Sequence, residues 1–347
     1  MQKKILKQFI EFGIARSIIV LFVIVLFILA ILKDMQIAEL ISDSLARIGR
    51  NGILVLALLP GVRGGIGLNF GLPLGIICGL IGMLVGMEFD WTGLSGFVSA
   101  LSIAGGLGVL AGWGYGVLLN KVKGQEMMVG TYVGFSIVSF MCLLWLLLPF
   151  SNPKLIWALG GKGLRVTISL ADYYPKILDD FLSFSIFNVT IPFGSLLFFV
   201  LFCFFVSLFF RSRWGRAIAA TGANAQFAKA NGINPNQTRV WSAVLSTVLA
   251  AIGIVVYNQS FGFVQLYTAP LLMAFPIIAC LLIGGAEVGR ATITHVILGT
   301  VIFQTLLTIA LPVTSAFIGG DISETARIII SNGIILYALA GVKGKTA

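Results

Sequence analysis

"GVRGGIGLNFGLPLGIICGLIGMLVG", Gly61 to Gly86, is too apolar for a surface loop and too broken for one helix. Gly67, Gly71, Gly75 and Gly79 recur every four residues, so on a helix they share one face. Small residues at that spacing let helix backbones approach closely in lipid, where van der Waals contact rather than the hydrophobic effect drives association. Arg63-Gly64-Gly65 and Pro73 interrupt the pattern, because proline lacks a backbone donor and glycine is a poor helix former. Irregular backbone at membrane depth survives only inside protein or beside a water-filled cavity. The stretch reads as a discontinuous membrane helix, with Asn69 and Phe70 at the break as candidate lining residues of a pathway.

The rest of the chain supplies the setting. Hydrophobic residues make up 58% of the 347, charged residues only 10%, and the mean hydropathy is +1.03, which excludes a soluble protein. Apolar runs near the ~20 residues that cross about 30 Å of hydrocarbon recur too often for a lone anchor. Breaks between them place spans at 15–33, 47–62, 68–87, 94–119, 127–149, 190–210, 240–259, 270–284, 292–311 and 323–341. The expectation is an all-α polytopic membrane protein, residues 1–347 forming a single transmembrane domain of about ten helices. Residues 17–32 follow a basic N-terminus as in a signal peptide, but "KDMQIAEL" offers no small-x-small cleavage site, so they are read as the first span.

With a cytoplasmic N-terminus, 15 of the 23 Lys and Arg residues fall inside, against the acids Glu11, Glu126 and Glu287. The positive-inside rule then places both termini in the cytoplasm. Topology also accounts for the net charge of +10, since the bases are scattered over span ends rather than gathered in a groove with stacking aromatics; nucleic acid is not an expected partner, and membrane lipid is. The external connection 150–189 carries "DYYPKILDDF", read either as a docking surface for an external protein or as an interfacial helix with its aromatics at headgroup level.

No constellation of catalytic groups is present, so no enzyme activity, cofactor or metal is expected. Cys78, Cys142, Cys203 and Cys280 lie in apolar runs without metal-binding spacing. The one histidine, His295, opens the ninth span with no carboxylate pair beside it. "GVKGKTA" resembles the close of a P-loop, but Leu339 stands where its first glycine is required. Glu88, Asp90, Glu126 and Glu287 flank spans rather than occupy their centres, which weakens ion coupling. Tyr257, Asn258, Gln259, Gln265, Tyr267 and Gln304 are neutral polar groups near span ends, suited to a sugar or nucleoside. Asn258, Gln259 and Phe261 join Asn69 and Phe70 as candidate path residues.

"RSRWGRAIAATGANAQFAKANGI", Arg211 to Ile233, is the one long polar stretch in the second half. Its arginines mark a cytoplasmic boundary, Asn224 can cap a short helix, Phe227 supplies an apolar contact, Lys229 suits the C-terminal end and Gly232 can terminate it. The helix is too short and polar to span, and fits a groove on a cytoplasmic partner.

At these residues the chain resembles a family. "GRAIAATGANAQFAKANGIN" (215–234), "LLIGGAEVGRATITHVILGTVI" (281–302) and "RGGIGLNFGLPLGI" (63–76) look like permease subunits of ABC importers of the ribose, galactose, nucleoside and branched-chain amino-acid type. The resemblance implies a type II-like architecture with a cytoplasmic loop, 211–239, in which Gly222, Asn224, Phe227, Ala228 and Gly232 belong to a coupling helix that docks on an ABC ATPase subunit. It further implies a second permease, identical or homologous, two separate ATPases, an extracytoplasmic substrate-binding protein and a bacterial cytoplasmic (inner) membrane. The family commonly has Asp-Leu-Ser after Gly-Gly-Ile, where this chain has Gly67-Leu68-Asn69. The expected cargo is a small polar solute, a monosaccharide or nucleoside-like molecule, with a vitamin such as riboflavin or a branched-chain amino acid as alternatives. An ion-coupled secondary transporter, a scaffold or a channel are the readings from other classes.

Overall fold

The computed structural model describes residues 14–157, 163–287 and 290–318, with residues 325, 328–329 and 332–333. In chain order the helices before the 150–189 connection are α1 (Ile14–Leu32), α2 (Ile37–Leu56), α3 (Leu58–Arg63), α4 (Leu72–Glu88), α5 (Gly93–Lys121) and α6 (Glu126–Leu147). The connection itself holds β1 (Thr167–Ser169), the single turn α7 (Ile177–Asp180), β2 (Phe184–Ile186) and β3 (Val189–Ile191). Then come α8 (Phe193–Arg211), α9 (Arg213–Ala223), α10 (Ala225–Ala230), α11 (Pro235–Phe261), β4 (Phe263–Gln265), α12 (Ala269–Ile283) and α13 (Ile293–Ile318).

Among the described residues six helices, with α2 and α3 taken as one from Ile37 to Arg63, are long and apolar enough to cross a membrane; α4, α12 and the Ser17–Leu32 part of α1 are shorter apolar helices. Nearly all the expected spans coincide with these within a few residues. The expected tenth, 323–341, lies largely outside the described residues. Two boundaries need correction: the ninth span runs to Ile318, not 311, and the second begins at Ile37, not at 47. Its first turns are amphipathic, with Leu40, Ser44 and Ile48 buried while Glu39 and Asp43 face outward. Ser42 and Ser44 donate back to the carbonyls of Ala38 and Leu40 at 2.8 and 2.7 Å, which satisfies their polarity within the helix. A search for apolar runs stops at those charges, although the helical period continues through them.

The central helix is α11, and glycine sets how closely its neighbours approach. A Cβ built at Gly108, Gly112 or Gly116 of α5 would lie 3.1, 2.8 and 2.8 Å from the Cα of Val248, Val244 and Val240. The four-residue spacing on both helices makes this a continuous backbone contact. Gly75 and Gly79 of α4 meet Thr247, Ala250, Ala251 and Ile254 on another side of α11, and Gly253 of α11 meets Leu54 of α2. The expected single face of Gly67, Gly71, Gly75 and Gly79 is therefore split, because only the last two are helical. Gly105 and Gly106 of the same helix α5 face open space. Gly112→Leu should cost about 1–3 kcal/mol by overpacking, read as a lowered unfolding temperature of the purified protein in detergent. Gly114→Leu, where a side chain meets nothing, should leave it unchanged.

The helices alternate between two ends. At the basic end, Arg63, Lys121, Arg211 and Arg213 mark helix termini. At the opposite end the 150–189 connection folds down over the bundle. Asn152 is its anchor: its amide donates to Met87 O, Asp90 Oδ1 and Tyr173 Oη at 2.9, 3.0 and 3.1 Å, while Glu88 accepts from the backbone of Ser151 and Asn152. Tyr173 and Tyr174 are buried. β1 pairs antiparallel with β4, Ile168 opposite Val264. This corrects the interfacial-helix reading of "DYYPKILDDF": its tyrosines point into the protein, and only Ile177–Asp180 is helical. Lys154 pairs with Asp172 at 2.8 Å, and that hydrogen bond raises the pKa of the exposed ammonium.

Candidate functional site: the basic end of the bundle

Each helix start in the 211–239 segment is fixed by a capping side chain. Ser212 leaves the helical conformation after α8 and its hydroxyl accepts from Gly215 N at 3.3 Å, which starts α9. Asn224 ends α9 in an extended conformation, and its Oδ1 accepts from Phe227 N at 2.9 Å to start α10. α10 closes in a Schellman motif: Ile233 N donates to Ala228 O at 3.0 Å and Gly232 N to Lys229 O at 3.1 Å, with Gly232 at φ +78°. Asn234 then caps α11, accepting from Asn236 N and Gln237 N, with Pro235 in the first turn. The expected roles of Asn224 and Gly232 as cap and terminator hold. The separate helix α9 was not expected, although Ser212 before a helix-forming run is its signal.

Within this segment the five expected coupling residues divide by burial. Phe227 is 63% exposed, Asn224 and Gly232 lie beside it on the surface, and Ala228 is fully buried. Gly222 faces inward, and its backbone lies directly on the chain at Arg63–Gly65. A Cβ built on Gly222 would overlap Arg63 O, and one built on Gly65 would stand 3.0 Å from Gly222 Cα. Gly65 itself has φ +73°, open to glycine but costly for other residues. Thr238 of α11 donates to Thr221 Oγ1 at 2.9 Å, so the segment is tied to α11 as well as to α3.

Gly64 to Gly71 form the non-helical break between α3 and α4, as the sequence suggests. At its centre Asn69 is 3% exposed and its polar atoms are committed. Its Nδ2 donates to Ser246 Oγ at 2.8 Å, while its Oδ1 accepts from Tyr115 Oη at 2.9 Å and Gly71 N at 3.0 Å. Ser246 donates in turn to Ala57 O at 2.7 Å, and Ser242 one turn earlier donates to Pro60 O. Asn69 thus joins α5, α11 and the break. Ser242, Ser246 and Tyr115 were not singled out from the sequence; two serines four apart in an apolar span are the signal that marks them. Phe70 packs edge-on against Phe275 of α12 at 6.1 Å between ring centres.

Beside the break a cavity of about 540 Å³ opens, lined by Gly65, Gly67, Gly124, Glu126, Met127 and Gly222. Glu126 is held by Arg239 of α11 at 2.5 Å, both side chains largely buried. Among the described residues no three His, Cys, Asp or Glu side chains group as metal ligands.

The other candidate path residues lie at the far end of α11. Asn258 is buried with one weak partner, Met83 Sδ at 3.4 Å. Gln259 accepts from Leu178 N at 3.1 Å, but its Nε2 has no partner, and neither has the buried hydroxyl of Ser260. Phe261 is partly exposed and stacks with Tyr257 at 5.7 Å. Of the remaining polar groups expected near span ends, Gln265 sits in β4, Tyr267 donates to Leu164 O at 2.9 Å and Gln304 to Cys280 Sγ at 3.5 Å.

Comparison with known proteins bears on what this end does. The chain is 31% identical over 155 residues to the probable ABC transporter permease protein YphD of Escherichia coli (strain K12), covering 42% of this chain and 45% of that one. It is 28% identical over 215 residues to the autoinducer 2 import system permease protein LsrC of Yersinia enterocolitica serotype O:8 / biotype 1B, covering 58% and 57%. The chain thus spans about half the length of these relatives. No solved structure matches it. The family model of the branched-chain amino acid transport system, permease component, matches residues 41–339. That match takes in the glycine-rich break, the capped segment 211–239 and α11 together, and the chain belongs to this family of transport permeases.

Proposed function

We propose that this permease is the membrane subunit of an ATP-driven importer for a small polar solute, a monosaccharide of ribose or galactose type or a nucleoside-like molecule. The observation that carries the reading is the backbone contact between Gly222 and Arg63–Gly65, which joins a capped surface helix to the break in the membrane helices. In this reading an ATPase subunit grips α10 around Phe227, and its closure pushes Gly222 against the break and Thr238 against α11. Ser242 and Ser246 carry that displacement to Asn69, and the bundle switches access.

The same reading has ten helices in a type II-like permease, paired with a second permease, two ATPases and an extracytoplasmic binding protein that delivers solute at residues 150–189. The basic end and both termini face the cytoplasm of a bacterial cell. Asn258 and Gln259 would meet the solute when the far end opens, since their hydrogen-bonding capacity is the least used. The most deeply buried polar residues among those described are neutral, Ser, Thr, Asn or Gln, and the largely buried Glu126 and Arg239 neutralise each other at a helix end, which favours ATP over an ion gradient as the energy source. The import system in the Yersinia relative's name supports the direction of transport.

Co-purification with the ATPase subunits tests this. Asn224→Ala removes the cap of α10 at a cost of about 1 kcal/mol, and should weaken ATPase retention several-fold while leaving the bundle folded. The reading fails if no ATPase associates with the intact permease and uptake collapses with the proton or sodium gradient at constant ATP.

A further inference from the structure

The β2–β3 hairpin has an apolar face that the described residues cover only in part, with Val189 and Ile191 half-buried. Its antiparallel register puts Phe184 opposite Ile191 and Ile186 opposite Val189, while Ser185 faces Thr190. Side chains alternate along a strand, so the four apolar residues share one face and the two hydroxyls the other. Phe184 and Ile186 are exposed, and Phe187 at the tip is 96% exposed. Phe187 and Asn188 both have positive φ, 49° and 63°. Asn tolerates that conformation, but a bulky aromatic rarely adopts it. A two-stranded hairpin is marginal alone in water, and a strained, solvated phenylalanine adds to its cost.

Its place in the fold indicates what covers it. Thr190 N donates to Ser42 Oγ at 2.9 Å, and Ser42 lies between the outward-facing Glu39 and Asp43 in the first turns of α2. Those charges put this level at the membrane–water boundary rather than in the hydrocarbon. On the other side the chain passes through Pro192 directly into α8, and Phe184 meets Phe193 at 6.0 Å between ring centres. α8 is the most apolar of the candidate spans and only 33% buried, with Leu197, Val200, Leu201, Phe204 and Phe205 exposed along it. The hairpin's apolar face continues that lipid-facing surface past the end of the helix.

We infer that residues 184–191 are a membrane anchor, a hairpin that lies in the interfacial layer and sinks Phe184, Ile186 and Phe187 among the acyl chains of the adjacent leaflet. Aromatic side chains are favoured at that depth. The inference goes beyond the transport reading and holds whichever solute is carried.

The natural chain with p-benzoylphenylalanine at position 187 tests it, reconstituted in phospholipid nanodiscs, irradiated and weighed as the intact protein. Phospholipid adducts should form at 187 with a yield matching that of the same probe at Leu201, and several-fold above that at Ser185 on the opposite face. Yields at 187 no higher than at 185, with Leu201 still labelled, overturn it. Protein adducts at 187 in place of lipid, to the binding protein when added or to a second permease, overturn it in favour of a protein-docking surface.

Discussion

Gly222→Val should, on the proposed function, abolish ATP-driven uptake while the permease still inserts, folds and retains the proposed ATPase subunits. The added side chain has nowhere to go, because even a Cβ overlaps the backbone oxygen of Arg63, and a backbone neighbour cannot rotate aside. Overpacking of this kind costs about 1–3 kcal/mol, and the cheapest relief is to lift α9 off the break. That leaves the glycine contacts of α5 and α4 with α11 untouched and keeps Asn224, Phe227 and Gly232 in place for the ATPase of the proposed function. Gly65→Ala should weaken uptake in the same direction, since Gly65 forms the other half of the contact and its φ of +73° costs an alanine about 1–2 kcal/mol. The readouts are uptake in whole cells and the stimulation of ATP hydrolysis by loaded binding protein in nanodiscs. Full uptake by Gly222→Val would refute transmission through this contact.

This contact also shows where sequence reading stops. Asn224 and Gly232 were legible because a cap and a terminator act on atoms three or four residues away, so sequence spacing contains the geometry. The break before Pro73 was legible for the same local reason. Gly222 was visible as a member of a motif, but its partner at Arg63–Gly65 is more than 150 residues distant and leaves no periodic trace. β1 is hidden likewise, since its three residues are a strand only because β4, at 263–265, comes beside them. Tyr173 and Tyr174 read as interfacial by composition; their burial follows from Asn152 and the ends of α4 and α5, with Gly93 N donating to Tyr173 O at 2.7 Å. Local physics thus yields the spans and caps, whereas the pairing of distant glycines and short strands requires the fold.

Asn69→Ala should destabilise the permease by about 2–4 kcal/mol, because Gly71 N and Tyr115 Oη lose their acceptor and stay buried, each at a cost of about 1–3 kcal/mol. Ser246 suffers less, since its own hydroxyl still donates to Ala57 O at 2.7 Å. Tyr115→Phe in the Asn69→Ala background should recover part of the loss by removing the stranded hydroxyl, so the two changes are non-additive. Denaturation of the purified permease in detergent measures this. Asn258→Ala should behave in the opposite way. Its amide has one weak contact with Met83 Sδ at 3.4 Å, so stability changes little, but on the proposed function a polar group that meets the solute disappears and the KM of uptake should rise. The pair separates bracing from recognition: Asn69 holds three segments together in this conformation, and a variant there that shifted KM without loss of stability would move it from brace to binding site. Equal loss of stability in both variants would instead make the far end of α11 a structural core and leave solute recognition to other residues.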